Sequence, residues 1–108
     1  MRRDVFQAIA DPTRRQIISL LANASLPVNA VAHNFEMTRP AISKHLRILL
    51  DCGLVTIRKE GRERYCTVVL SELAEVGKWV SQYQHFWSDF QEPYISRRIP
   101  LKRRKEDL

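Results

Sequence analysis

The sequence predicts a mainly α fold (α+β) in which helices lead, one β-hairpin follows and a further helix comes after it. Three observations carry this. Apolar residues recur at helical spacing from Val5 to Leu50. The period shortens to two on either side of Gly61-Arg62. Helical spacing then returns from Leu73 to Phe90. At 108 residues the chain suits one domain with a modest core.

The elements follow in order. Val5, Phe6 and Ile9 make the apolar side of a short first helix. Asp11-Pro12 restarts the chain, with Asp as N-cap and Pro at the first helical position. The second helix runs to about Ala22, buries Ile17, Ile18, Leu20 and Leu21, and opens on the polar run Thr13-Arg14-Arg15-Gln16. Asn23, Ser25 and Pro27 mark a loop. Val28, Val31, Ala32 and Phe35 set a short third helix, and a tight connection passes through Glu36 and Met37. Thr38 then caps a fourth helix, where Pro40 is tolerated because first-turn N–H groups lack helical partners. Its inward face is Ile42, Leu46, Leu49 and Leu50, and Gly53 stands where a helix end takes a left-handed residue. Leu54–Glu60 and Glu63–Leu70 read as strands around the turn. Ser71 is expected to cap one last helix, with Leu73, Val76, Val80, Tyr83, Trp87 and Phe90 in a stripe that Trp79 and Phe86 widen. Pro93 ends it, which sets a folded domain over 1–90 and a basic tail over 91–108.

Charge is unevenly placed. The net is +6. Seven basic residues stand against three acidic ones from Thr38 to Cys66, and six against three from Gln91 to the end, whereas the aromatic stretch between is acidic. Net charge alone serves solubility as well as it serves a polyanionic partner. Clustering of this kind marks an electrostatic footprint.

Helix, tight turn and basic helix form a helix-turn-helix layout, whose second helix enters the DNA major groove. Thr38, Arg39, Ala41, Ser43, Lys44 and Arg47 are the small or polar outward residues that such a helix needs near its start. An ordinary amphipathic helix with a solvated basic face fits the same pattern. The hairpin after it decides for a winged helix-turn-helix, because Arg62 and Arg64 at its tip form an arm able to reach backbone or minor groove. Glu60 and Glu63 could instead pair with neighbouring arginines of the tip, which runs from Arg58 to Tyr65.

At this point Ala10-Asp11-Pro12-Thr13-Arg14-Arg15, Ile42-Ser43-Lys44-His45-Leu46-Arg47-Ile48-Leu49, Gly53-Leu54-Val55, Glu60-Gly61-Arg62 and Tyr65 resemble the ArsR-type winged helix-turn-helix regulators over about Arg3 to Phe90. The resemblance implies a dimeric repressor joined through its first and last helices. It places Ser43, Lys44 and His45 on the recognition helix and Arg62 on the wing. His45 could equally hydrogen-bond within the motif. Many members sense metals through paired cysteines before the recognition helix or Asp/His pairs on the last. Here the first segment, Val28–His33, has no thiol, and the last helix has only His85 and Asp89, too few for a closed transition-metal site. The chain is similar to the non-metal branch, some members of which are controlled by a partner protein. No metal and no cofactor are expected, and an inducer or protein partner is left open.

Dimerisation has a second basis. So small a core cannot cover a two-sided aromatic stripe, so Trp79, Val80, Tyr83, Phe86, Trp87 and Phe90 should meet a second copy, with Phe6 and Ile9 from the first helix. The operator should then be near-palindromic. Cys52 and Cys66 fit no metal spacing and read as buried small residues. The start Met-Arg-Arg-Asp enters an amphipathic pattern at once and no apolar run is long enough to span a bilayer, so no signal peptide, no membrane insertion and a cytoplasmic site are expected. Neither a Ser–His–acid nor a Cys–His arrangement occurs at motif spacing, nor a Gly-rich phosphate loop, which argues against an enzyme. The competing reading is a protein-interaction module whose basic tail docks an acidic partner.

Overall fold

Asp4 opens the first helix, α1 (Val5–Ala8), with a reciprocal capping box: its carboxylate accepts from the Gln7 amide at 3.0 Å, and the Gln7 side chain accepts from the Asp4 amide at 3.3 Å. The computed structural model describes residues 4–88. Four residues cannot hold a helix unaided. Tertiary contacts supply the rest, with Val5 and Ala8 buried. Arg14 donates to the Ala8 carbonyl at 2.7 Å and to that of Gln7 at 2.9 Å, and Arg15 donates to that of Ile9 at 2.7 Å. The polar start of the next helix, α2 (Pro12–Leu21), thus caps the end of α1.

Asp11 is the N-cap of α2, accepting from the Arg14 amide at 3.1 Å. Desolvation would raise its carboxyl. The backbone amides of Arg14 and Thr13 and the charges of His45 and Arg14 outweigh it and hold Asp11 below the usual carboxylate value. A depressed folded value means stability that is present above the unfolded pKa and lost as pH falls through the folded one. Asp11→Ala should therefore cost about 0.5–2 kcal/mol at neutral pH, with the difference from wild type shrinking below about pH 4. Urea denaturation of both proteins at pH 7 and pH 3 checks this; a gap that widens on acidification would refute it.

After α2 come β1 (Leu26–Pro27), α3 (Val28–His33) and α4 (Arg39–Asp51). Helix α4 ends in a Schellman turn: Gly53, at φ 80°, donates to the Leu50 carbonyl at 3.1 Å, and Leu54 to that of Leu49 at 3.0 Å. Leu49 and Leu54, which such a turn brings together, are both fully buried. The chain enters β2 (Val55–Glu60) and returns as β3 (Glu63–Val68), with Ile57 opposite Cys66 and Glu60 opposite Glu63.

Two expectations need correction. Among the described residues the sheet has three strands in the order β1-β3-β2, not one hairpin alone: Leu26 lies opposite Cys66, and the Ser25 and Thr67 hydroxyls meet at 2.7 Å. A two-residue strand ending in Pro carries no alternation to read, and its partner is some 40 residues away in sequence. The last helix is also not continuous. A 3₁₀ turn (Leu70–Leu73) leads into α5 (Ala74–Ser81), and α6 (Gln84–Ser88) follows a break. At the break the Gln82, Tyr83 and Phe86 amides bond three residues back, and the Ser81 hydroxyl donates to the Lys78 carbonyl at 2.8 Å, local bonds that compete with the helical ladder.

The chain divides after Val76 into two compact units. The first is organised around Ile17, Val31, Ile42, Leu49, Leu54, Val55 and Cys66, each at most 1% exposed. In the second, Trp79 and Tyr83 meet edge-on at 5.4 Å and Tyr83 and Phe86 stack at 6.1 Å, yet Trp79, Tyr83, Phe86 and Trp87 keep 38–53% of their surface exposed. Phe90, Asp89 and the expected tail from residue 91 lie outside the described residues. Among the described residues no helix is long and apolar enough to cross a membrane.

Candidate nucleic-acid interface

The turn between α3 and α4 is built from local bonds. The Asn34 and Phe35 amides donate to Val31 and Ala32, the Asn34 side chain donates to the Ala30 carbonyl at 2.8 Å, and Phe35 packs against the core. Thr38 then caps α4, its hydroxyl accepting from the Ala41 amide at 3.2 Å, with Pro40 in the first turn. Ile42, Leu46 and Leu49 are buried, which fixes the helix about its own axis. On the opposite side Arg39, Pro40, Ser43, Lys44 and Arg47 are exposed, with Ala41 half-exposed. An anchored helix with an open basic face at its N-terminal half has the form that enters a major groove.

The expected DNA-binding residues have different surroundings. The Thr38 side chain is engaged in capping. The Arg39 guanidinium donates to the Asn29 carboxamide oxygen and so joins α4 to α3. Ser43 and Lys44 stand open. Arg47 pairs with Asp51 one turn on, at 3.5 Å, an exposed contact worth a few tenths of a kcal/mol at most. His45 is turned inward: its Nδ1 lies 3.4 Å from Arg14 Nη1 and 3.9 Å from Asp11 Oδ2, with 18% of the side chain exposed. It faces the start of α2 and stands apart from the open face. Sequence reasoning read Asp11 and Arg14 as cap and polar start; their contacts with His45 of the recognition helix span 34 and 31 residues and have no local signature.

The wing is the β2–β3 hairpin. Gly61, at φ 63°, takes the first loop position, a conformation other residues rarely adopt. Arg62 and Arg64 are exposed. Glu60 pairs with Arg58 at 3.1 Å, and Arg58 also lies 5.9 Å from the Tyr65 ring centre. Behind the wing, burial pushes the Cys66 thiol up, offset in part by the charges of Arg64 and Arg39. Cys66 is therefore a protonated thiol at neutral pH, and Cys52 is likewise buried.

Recognition helix, turn and wing define the class: a winged helix-turn-helix DNA-binding protein. Residues 11–56 match the family described as bacterial regulatory protein, arsR family. The chain is 31% identical over 80 residues to the transcriptional repressor SdpR of Bacillus subtilis, covering 74% of this chain and 89% of that protein. It is 38% identical over 80 residues to the HTH-type transcriptional regulator MJ1325 of Methanocaldococcus jannaschii, covering 73% and 90%. The homodimeric winged helix-turn-helix DNA-binding domain Mb0332 of Mycobacterium bovis superimposes with a TM-score of 0.62 at 28% identity, over 82% of each chain. The chain belongs to the ArsR family. It is a DNA-binding transcriptional regulator and not an enzyme.

Proposed function

We propose that the chain is a repressor that binds a near-palindromic operator as a homodimer in the cytoplasm. The observation that carries this is the open face of Arg39, Ser43, Lys44 and Arg47 on a helix whose other side is locked into the core. SdpR is named as a repressor and Mb0332 as a homodimer, and both names favour the same reading here. Arg39, Ser43 and Lys44 then read base edges, and Arg47 with Arg62 and Arg64 of the wing holds phosphates or the minor groove. Trp79, Val80, Tyr83, Phe86 and Trp87, with Phe6 and Ile9, meet a second copy. A two-fold dimer sets half-sites about one helical turn, ~34 Å, apart.

The test uses a duplex selected from random sequence and a scrambled control, each titrated across a salt series. Ser43→Ala and Lys44→Ala should narrow the gap between the two duplexes, since a lost bidentate base contact costs about 1–3 kcal/mol. Arg62→Ala should weaken both alike and lower the salt slope by about one. If Arg62→Ala alone changes specificity while the helix variants lower both affinities equally, the roles of helix and wing are reversed.

This reading has no metal trigger. Among the described residues no three His, Cys, Asp or Glu side chains converge on a point that could hold an ion. Zn(II), Cd(II) and As(III) titrated into the protein–operator complex should leave the DNA bound. Stoichiometric release at low micromolar metal would overturn this.

A further inference from the structure

Between the recognition helix and the wing lies a cleft of about 220 Å³ that DNA reading alone does not explain. Its rim carries Arg39, Arg47, Arg64 and Ser43, and its floor is aliphatic: Leu46, Leu50 and Ile57, with Val28 beside them. The rim and floor ask for different things. Three guanidiniums stand around one opening with no carboxylate among the lining residues; Arg47 is paired with Asp51 outside it, so Arg39 and Arg64 are the two that favour an anion. Arg39 is held by the neutral Asn29 side chain, and among the described residues no carboxylate pairs with it. An aliphatic floor offers nothing to a phosphodiester and favours an apolar body. The cleft is smaller than the roughly 300–1,000 Å³ that suits drug-sized ligands, so its occupant is small.

We propose that this cleft binds a small organic anion, an apolar body bearing one carboxylate, and that the bound anion competes with DNA for the same arginines. The competition rests on the reading of α4 and the wing as the DNA-binding face; the binding itself does not. Carboxylate oxygens accept from the Arg39 and Arg64 guanidiniums, and the body lies against Leu50 and Ile57. Occupancy neutralises the charge that duplex phosphates would otherwise meet, so induction needs no movement between distant sites.

The probe is 2-naphthoate, with the neutral 2-naphthamide and inorganic phosphate as comparisons. Each is titrated into the isotope-labelled full chain without DNA, and amide shifts are followed. Naphthoate should give saturable shifts at Ser43, Ile57 and Arg64, and naphthamide should bind at least about ten-fold more weakly for loss of the charged hydrogen bonds. Ile57→Phe fills the floor and leaves the arginines in place. It should lower naphthoate affinity by about ten-fold while keeping affinity for the selected duplex. Leu50→Phe serves the same purpose should Ile57→Phe fail to fold. On wild type, naphthoate should displace labelled duplex at the concentration that saturates the shifts. Equal binding of naphthamide, phosphate as strong as naphthoate, or displacement undiminished in the filled variants would each overturn the proposal. A chain that binds naphthoate but no duplex would keep the cleft and overturn the DNA reading; the reverse result would keep the DNA reading and overturn the cleft.

Discussion

Tyr83→Asp combined with Phe86→Asp should convert the protein to a monomer and lower its operator affinity by about 10²–10⁴. The two rings are stacked on each other and about half exposed, 40% and 53%, so in a single chain they bury little that holds it together. Four large aromatics are exposed within nine residues, and clustered exposed apolar side chains mark an interaction surface. Across a two-fold axis the same patch covers itself. A charge at its centre must then be desolvated without a partner, which costs far more than the ring it replaces. The operator effect follows because one half-site held by one recognition helix loses the effective concentration that the partner supplies. Sedimentation at tens of micromolar and duplex titration measure the two effects. A variant that still sediments as a dimer would place the interface elsewhere.

Leu49→Ala should lower unfolding free energy by about 2–5 kcal/mol, from a total of about 5–15 kcal/mol for a domain of this kind. Leu49 is fully buried, and its carbonyl accepts the Leu54 amide in the turn that ends the recognition helix. The truncation removes transfer energy and leaves a cavity under the face that carries Ser43 and Lys44. Leu49→Met keeps the volume and should cost less than about 1.5 kcal/mol. Urea midpoints report both. Equal small losses for the two would mean that the helix is not anchored through this residue. At temperatures where Leu49→Ala is still folded its duplex affinity should remain near that of wild type, since none of the residues proposed to face DNA has changed.

Much of the recognition helix is legible in the sequence alone. Thr38 as cap, Pro40 in the first turn and Gly53 beyond the end are each local chemistry, and each stands where its residue type requires. The inward triplet of Ile42, Leu46 and Leu49 follows from the helical period. The hairpin was legible for the same reason, because alternation broken by Gly61-Arg62 needs only neighbours in sequence.

Other features had no such trace. Leu26–Pro27 becomes a strand only because β3 is there to pair with it. Helical spacing continues across Gln82 and Tyr83, and periodicity reports which face is apolar without reporting whether the backbone ladder is continuous. His45 sits among polar outward residues in the sequence, yet it is turned toward Arg14 and Asp11. Arg14 and Arg15 read as a polar helix start but close the carbonyls of α1. Caps, turns and periods act over at most a few residues, so residue types specify them directly. Pairing across tens of residues, the direction of a long side chain and the cleft between α4 and the wing depend on which surfaces meet, and that is set when the core closes over Ile17, Ile42 and Leu49.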